Sequence, residues 1–315
     1  AKDEKEKQSI IFYATIVILA IVSVFLFLLF NRFKLTQKQK MMIEEKEKET
    51  QRQKNLVEEK HKEITDSINY AERIQRSFLA SKQMLDTQFN DYFVFFKPKD
   101  VVSGDFYWAA SKGSATDERF MICTADSTGH GVPGAIMSIV NISCLKEAVV
   151  KGIVSPDQVF NDTSSLVIEN LKNGGSNEGR KHGMDCSLLS FDFKNSIVYC
   201  AVANNPVWIV RGQQCIEIKP DRMPVGKHDK DYAPFNLYKQ ELQKGDVIYT
   251  LTDGFADQFG GENGKKFKTK QLQDLLLSIS HKPMQDQKQE LDKVFDGWKG
   301  RLEQVDDVTV IGIRI

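Results

Sequence analysis

Residues 10–30 read IIFYATIVILAIVSVFLFLLF and contain no charged side chain. About 20 apolar residues in a helix are enough to cross a hydrocarbon core about 30 Å thick, so this run is expected to form a transmembrane helix. It is too long for the apolar region of a signal peptide, and no A-x-A cleavage site follows it. Arg32, Lys34, Lys38 and Lys40 follow the run, whereas Lys2, Lys5 and Lys7 precede it. The excess of basic residues gives a modest bias toward a cytoplasmic C-terminal side, at the cell membrane. Residues 1–9 begin without Met and carry no fold signal, and they read as a juxtamembrane remnant of a longer N-terminal region.

From residue 31 to 81 the chain is rich in Lys, Glu and Gln and contains neither Gly nor Pro, which favours a long helix on propensity. Ile43, Thr50, Val57, Ile64, Ala71 and Phe78 recur every seventh position, with Ile74 as a companion near the end. This is the seam of a coiled coil. Lys46, Gln53, Lys60 and Ser67 weaken it at first, and it strengthens through ITDSINYAERIQRSFLA. A homodimer through this coil is expected; a solvated, unpartnered helix is the other reading.

The 43 basic and 43 acidic residues leave no net charge, so nothing in the balance favours nucleic acid. Cys123, Cys144, Cys186, Cys200 and Cys215 form no C-x-x-C pair and are expected to be reduced core residues.

Beyond the linker the pattern changes, and a globular domain is expected over 84–315. YFVFF, FYWAA and FMICTA read as strands. A small-residue helix opens near Pro133, and Ser155-Pro156 opens a second, where Pro at the first helical position costs no hydrogen bond. NGGSNEGRKH (173–182) reads as a polar loop. CSLLSFD, SIVYCAVA, VWIVR, QCIEIK, NLYKQEL and DVIYTLTD are strand candidates, followed by two helices and a closing strand, VTVIGIRI. The economical architecture is α/β, with largely antiparallel sheets covered by helices.

Asp105, Asp126, Asp253 and Asp306 each stand where an expected strand meets a turn: VSGDFYW, TADSTGHGVPGA, TLTDGFAD and VDDVTV. Adjacent Gly lets the backbone come close to a ligand. Converging carboxylates repel one another unless a cation lies between them, and oxygen ligands without Cys or His select magnesium or manganese over zinc. Taken alone, each Asp is an ordinary turn or capping residue; the shared context is the signal.

In this order and spacing, SGDFYW, ADSTGHGVPGA, TDGFAD and DDVTV resemble the PPM metal-dependent serine/threonine phosphatases, most closely the SpoIIE-like branch. SINYAERIQRSFLA is similar to the helix that often precedes such domains. The resemblance implies two packed antiparallel β-sheets flanked by helices, with two Mn2+ or Mg2+ ions at one end. Asp105, Asp126, the Ser127 carbonyl, Asp253 and Asp306 would be the ligands, Asp126 bridging the ions. Asp257 matches a position that helps hold a weak third ion in some relatives. His130 would hydrogen-bond a metal-bound water or protonate the leaving oxygen, with a structural role in the turn as the other reading. A Gly-His pair common in the family is replaced here by Asn204-Asn205. The implied reaction is hydrolysis of phosphoserine or phosphothreonine by a metal-bridging hydroxide. The implied partner is a phosphorylated regulatory protein, such as an antagonist of an anti-sigma factor. Lys97 and Lys99 read as solvated lysines or as attractors of phosphate. A catalytically silent fold used for binding is the alternative. A histidine kinase is disfavoured: His61 is the only coil histidine, and no D-x-G-x-G is present.

Overall fold

A computed structural model of the chain describes residues 2–114, 117–172, 182–227 and 233–315. The expected polar loop at 173–182 lies outside them except for His182. The chain divides into two compact units, Ala1–Asp66 and Ser67–Ile315.

The described residues of the first unit are helical, as part of α1 (Lys2–Phe78). Within the apolar run, the Thr15 and Ser23 hydroxyls donate to the Ile11 and Leu19 carbonyls at 2.8 Å, so neither is left unpaired. This N-terminal helix is long and apolar enough to cross a membrane, and its large apolar side chains are exposed. Ile43, Val57 and Ile64 of the heptad seam are exposed as well.

The second unit begins with the last turns of α1 and continues in chain order through α2 (Lys82–Gln88), β1 (Asp91–Lys97), β2 (Asp105–Ser114), β3 (Asp117–Ser127), α3 (Gly131–Val150) and α4 (Pro156–Lys172). There follow β4 (Gly183–Asp192), β5 (Ile197–Ala203), β6 (Val207–Arg211), β7 (Gln214–Ile218), β8 (Val225–Gly226), β9 (Tyr238–Glu241) and β10 (Val247–Leu251). The remainder is α5 (Gly254–Asp257), β11 (Phe259–Gly260), β12 (Lys265–Lys266), α6 (Thr269–Ile279), α7 (Met284–Lys299) and β13 (Val308–Arg314). The unit starts upstream of the boundary expected near Met84, because Phe78, Leu79 and Ala80 pack into its core. The short α2 was not apparent in the sequence; Ser81 caps it by accepting from the Met84 N–H.

Two antiparallel sheets face one another, in the orders β1-β13-β10-β6-β7 and β2-β3-β4-β5-β9, with β8 beside β4. Alternation sorts the apolar side chains between faces. Ile122, Leu189, Phe191, Ile209, Ile248 and Ile311 fill the space between the sheets. Phe106, Trp108, Met121 and Leu188 turn outward to meet Ile142 and Leu145 of α3 and Phe160 of α4. On the other side Phe93, Phe95 and Tyr249 meet Leu276 of α6 and Leu291 and Phe295 of α7. The layers are therefore helix, sheet, sheet, helix. α3 is also apolar enough to pass as a membrane span, but half of it is buried in this core. All five cysteines are free, four of them fully buried.

Candidate metal centre

Antiparallel pairing sets Asp105 of β2 opposite Asp126 of β3, and Asp126 opposite Asp185 of β4. Directly opposed residues share a face, and like charges so placed destabilise a sheet. Three carboxylates thus stand in one row on the face turned toward the second sheet. From that sheet come Asp253, the residue before α5, and Asp306, two positions before β13. The four acids expected at strand ends therefore converge on one end of the sandwich, joined by Asp185, which the sequence did not single out.

Asp105 is the most enclosed of them, 1 % exposed. One of its carboxylate oxygens accepts from both the Thr252 and Thr309 hydroxyls, each at 2.7 Å. Burial pushes its carboxyl well above the usual range despite those bonds, and Asp307 and Asp253 push it further. Asp126 is raised by burial, then by Asp105, Asp253, Asp306 and Asp185. Asp253 is pushed up to about 6, by burial first and then by Asp257, Asp306 and Asp185. Burial also raises Asp185 and Asp306. Lys99 and His130 partly relieve Asp306.

The turns that carry these acids are built on close backbone approach. A Cβ at Gly104 would stand 2.3 Å from the Gly129 carbonyl oxygen and 3.0 Å from that of Ser127. One at Gly254 would stand 1.9 Å from the Asp307 carbonyl oxygen. Only glycine lets these segments touch. Asp307, buried behind Asp306, accepts from the Lys99 N–H and the Gly104 N–H at 2.7 Å each. Ser127 donates its N–H to the Gly104 carbonyl and accepts from Asn141 Nδ2 at 3.0 Å.

The remaining candidates separate clearly. His130 precedes α3 without capping it, is exposed, and lies 3.6 Å from Asp100 through Nδ1. Lys97 turns away to Asp292 and Asp296 of α7, at 2.8 and 2.9 Å. Lys99 faces Asp306. Asp257 is engaged by Lys266 at 2.7 Å. Asn204 adopts a φ of 59°, a left-handed conformation that Asn tolerates, and its amide donates to Asp185 at 2.7 Å. The replacement of the family's usual Gly at this position is thereby accommodated.

Among the described residues no three His, Cys, Asp or Glu side chains are drawn together tightly enough to grip an ion as they stand. The donor set nevertheless suits a hard divalent cation. It consists of oxygen atoms alone, and a row of three opposed acids contains no basic partner.

Face-to-face antiparallel sheets between helical layers, with acids gathered at one end, define a PPM phosphatase fold, a class of metal-dependent enzymes. The chain belongs to the family described as Stage II sporulation protein E (SpoIIE), whose model matches residues 116–315. The SiaA-PP2C domain of Pseudomonas aeruginosa is 29% identical, with a TM-score of 0.72, over 81% of this chain and 98% of that one. The PP2C phosphatase domain of SpoIIE from Bacillus subtilis, solved with a fragment of its regulatory domain, is 17% identical with a TM-score of 0.57, over 71% of this chain and 61% of that one. The RsbU and RsbW domains of Rv1364c from Mycobacterium tuberculosis give 19% and 0.55, over 71% of this chain and 59% of theirs. These last two likenesses concern the fold alone. No curated protein sequence matches this one.

Proposed function

We propose that the chain is a metal-dependent protein phosphatase that hydrolyses phosphoserine or phosphothreonine on a regulatory partner protein. The observation that carries this reading is the row Asp105, Asp126 and Asp185, faced by Asp253 and Asp306 across the sandwich. Asp105, Asp126, Asp253, Asp306 and the Ser127 carbonyl would hold two Mn2+ or Mg2+ ions. When bound, such ions supply an activated water and a positive charge for the phosphoryl oxygens.

The chain's own groups do the rest. Thr252 and Thr309 fix the direction of Asp105 by donating to one of its carboxylate oxygens. Asp307 fixes the turn that delivers Asp105 by taking the Gly104 N–H. Lys99, whose charge reaches Asp306, would draw a phosphorylated side chain inward, whereas Lys97 is engaged with α7. His130, whose charge also reaches Asp306, would pass a proton to the departing serine or threonine oxygen.

Membership of the SpoIIE family supports a phosphorylated regulatory partner, of the kind that antagonises anti-sigma factors. The exposed apolar helix in residues 10–30 supports a membrane span, and free cysteines support a cytoplasmic catalytic unit. A second copy pairing along Ile43, Val57 and Ile64 would cover the seam.

The test is hydrolysis of a phosphoserine peptide by the purified chain with Mn2+ present and after EDTA. Release of phosphate only with the ion is expected. Equal release in chelator, or a requirement for zinc alone, would refute the reading.

A further inference from the structure

The segment SINYAERIQRSFLA plays no part in the chemistry above, yet its last turns are built into the catalytic unit. Ala71, Gln75, Phe78 and Leu79 recur at i, i+4, i+7 and i+8, so they share one face of α1. Phe78 and Leu79 pack against the core beneath α3, and Lys146 of α3 lies over the Phe78 ring, 5.1 Å from its centre. In the middle of this docked face stands a carboxamide. Gln75 is 4 % exposed. A buried amide costs stability unless it is bonded, and this one is bonded on both sides.

Gln75 Oε1 accepts from the Ser103 N–H at 3.1 Å. Its Nε2 donates to the Ser103 carbonyl and, at 2.8 Å, to the Ser138 hydroxyl of α3. Ser138 in turn donates to the Ala135 carbonyl at 2.8 Å. The next residue is held just as fully: Gly104 gives its N–H to Asp307 and its carbonyl takes the Ser127 N–H. Four successive backbone groups before Asp105 are therefore fixed, two of them by one side chain from helix α1.

We propose that Gln75 is a positioning residue of the site. By closing both backbone polar groups of Ser103 and tying them to α3, it sets the direction in which the Ser103-Gly104-Asp105 turn presents the Asp105 carboxylate and the neighbouring Ser127 carbonyl. The inference rests on the functional reading above. It makes the end of α1 a working part of the catalytic unit, where its sequence suggests only a linker.

Gln75→Met keeps the length and volume of the side chain and removes every hydrogen bond. The full chain, in detergent, would be titrated with Mn2+ by calorimetry, and its melting temperature and turnover of p-nitrophenyl phosphate measured in parallel. Loss of an outer-shell partner typically weakens metal affinity about 10- to 100-fold. A loss of that size is expected, with kcat recovering at saturating Mn2+ and KM for the phosphoester unchanged. A folded Gln75→Met with wild-type Mn2+ affinity would overturn the proposal, even with a lowered melting temperature, since packing alone would then explain the residue. Should that variant fail to fold, Ser138→Ala decides: it removes one acceptor of the amide and leaves the turn and the acids untouched. Weakened affinity in Ser138→Ala supports positioning, and unchanged affinity refutes it. Wild-type protein that bound no Mn2+ would be a different result, overturning the functional reading itself.

Discussion

The ammonium of Lys266 lies 2.7 Å from a carboxylate oxygen of Asp257, the acid whose counterpart in some relatives helps hold a weak third ion. The lysine belongs to the hairpin of β11 and β12, which is pinned on both flanks: the Gly261 N–H donates to the Trp298 carbonyl at 2.8 Å and the Lys268 N–H to that of Ala256 at 2.7 Å. A third ion at Asp257 must therefore displace a resident positive charge. Calorimetry with Mn2+ should find two ions per wild-type chain, and Lys266→Met should admit a weak third. Three ions on the wild type would show that the lysine yields readily.

Asp257→Asn and Asp126→Asn should part company. Asp126 stands between Asp105 and Asp185, so removing its charge should lower Mn2+-supported turnover by several orders of magnitude while the fold persists. Asp257→Asn should change turnover little. Steady-state rates with circular dichroism as the folding control check both, and a near wild-type rate for Asp126→Asn would refute its place as a ligand.

Metal-free protein should show the strain of the acids through pH. The Asp253 carboxyl is raised from an ordinary 3.8 to about 6, so its contribution to stability is full below about 3.8 and is lost as pH rises through about 6. In EDTA, Asp253→Asn should therefore gain melting temperature relative to wild type between about pH 4 and pH 7, with most of the gain below neutrality. Thermal melts across that range measure it. A difference independent of pH would mean that the carboxyl titrates normally.

Gly254→Ala tests the close approach of α5 to the segment before β13. Its new methyl group would stand 1.9 Å from the Asp307 carbonyl oxygen, and the backbone must part to admit it. Overpacking of this kind costs about 1–3 kcal/mol. Urea denaturation should show that loss, and Mn2+ affinity should fall with it because Asp253 and Asp307 flank the contact. Stability equal to wild type would argue against so tight a fit.

Lysine at Ile43, Val57 and Ile64 together tests the proposed seam. All three are exposed in the single chain, so the substitution should leave folding intact and convert a dimer to a monomer in analytical ultracentrifugation. A monomeric wild type would remove the basis for the coil.

Much of the strand order and the four acidic motifs was legible because strands with two buried faces or clean alternation declare themselves, as VWIVR and VTVIGIRI do. Asp185 was not, because it lies inside a strand with no turn or glycine after it. Its importance comes from register with Asp126, a partner far away in sequence. Asp307 was eclipsed by its neighbour Asp306; only the folded turn reveals that it holds two backbone N–H groups. Gln75 reads as one more polar residue on a charged helix, and its burial depends on contacts made with residues 103 and 138. Two-residue strands such as β8 and β12 carry no periodicity at all. In each of these cases the missing information is tertiary.

Asp105 belongs to one sheet, and the two hydroxyls that grip it come from the other side: Thr309 lies in β13 and Thr252 directly follows β10. Nearby, the Thr124 and Thr250 hydroxyls bridge the same gap at 2.6 Å. The acid is thus a gauge of how the two halves of the sandwich are aligned. Sliding one sheet past the other by a fraction of an ångström would turn the carboxylate of this proposed ligand without replacing any residue of the site. Repacking between the sheets, at Ile122 or Ile311 for instance, is then a remote way to tune ion affinity, and inherited variation in that filling would retune the site while leaving its acids unchanged.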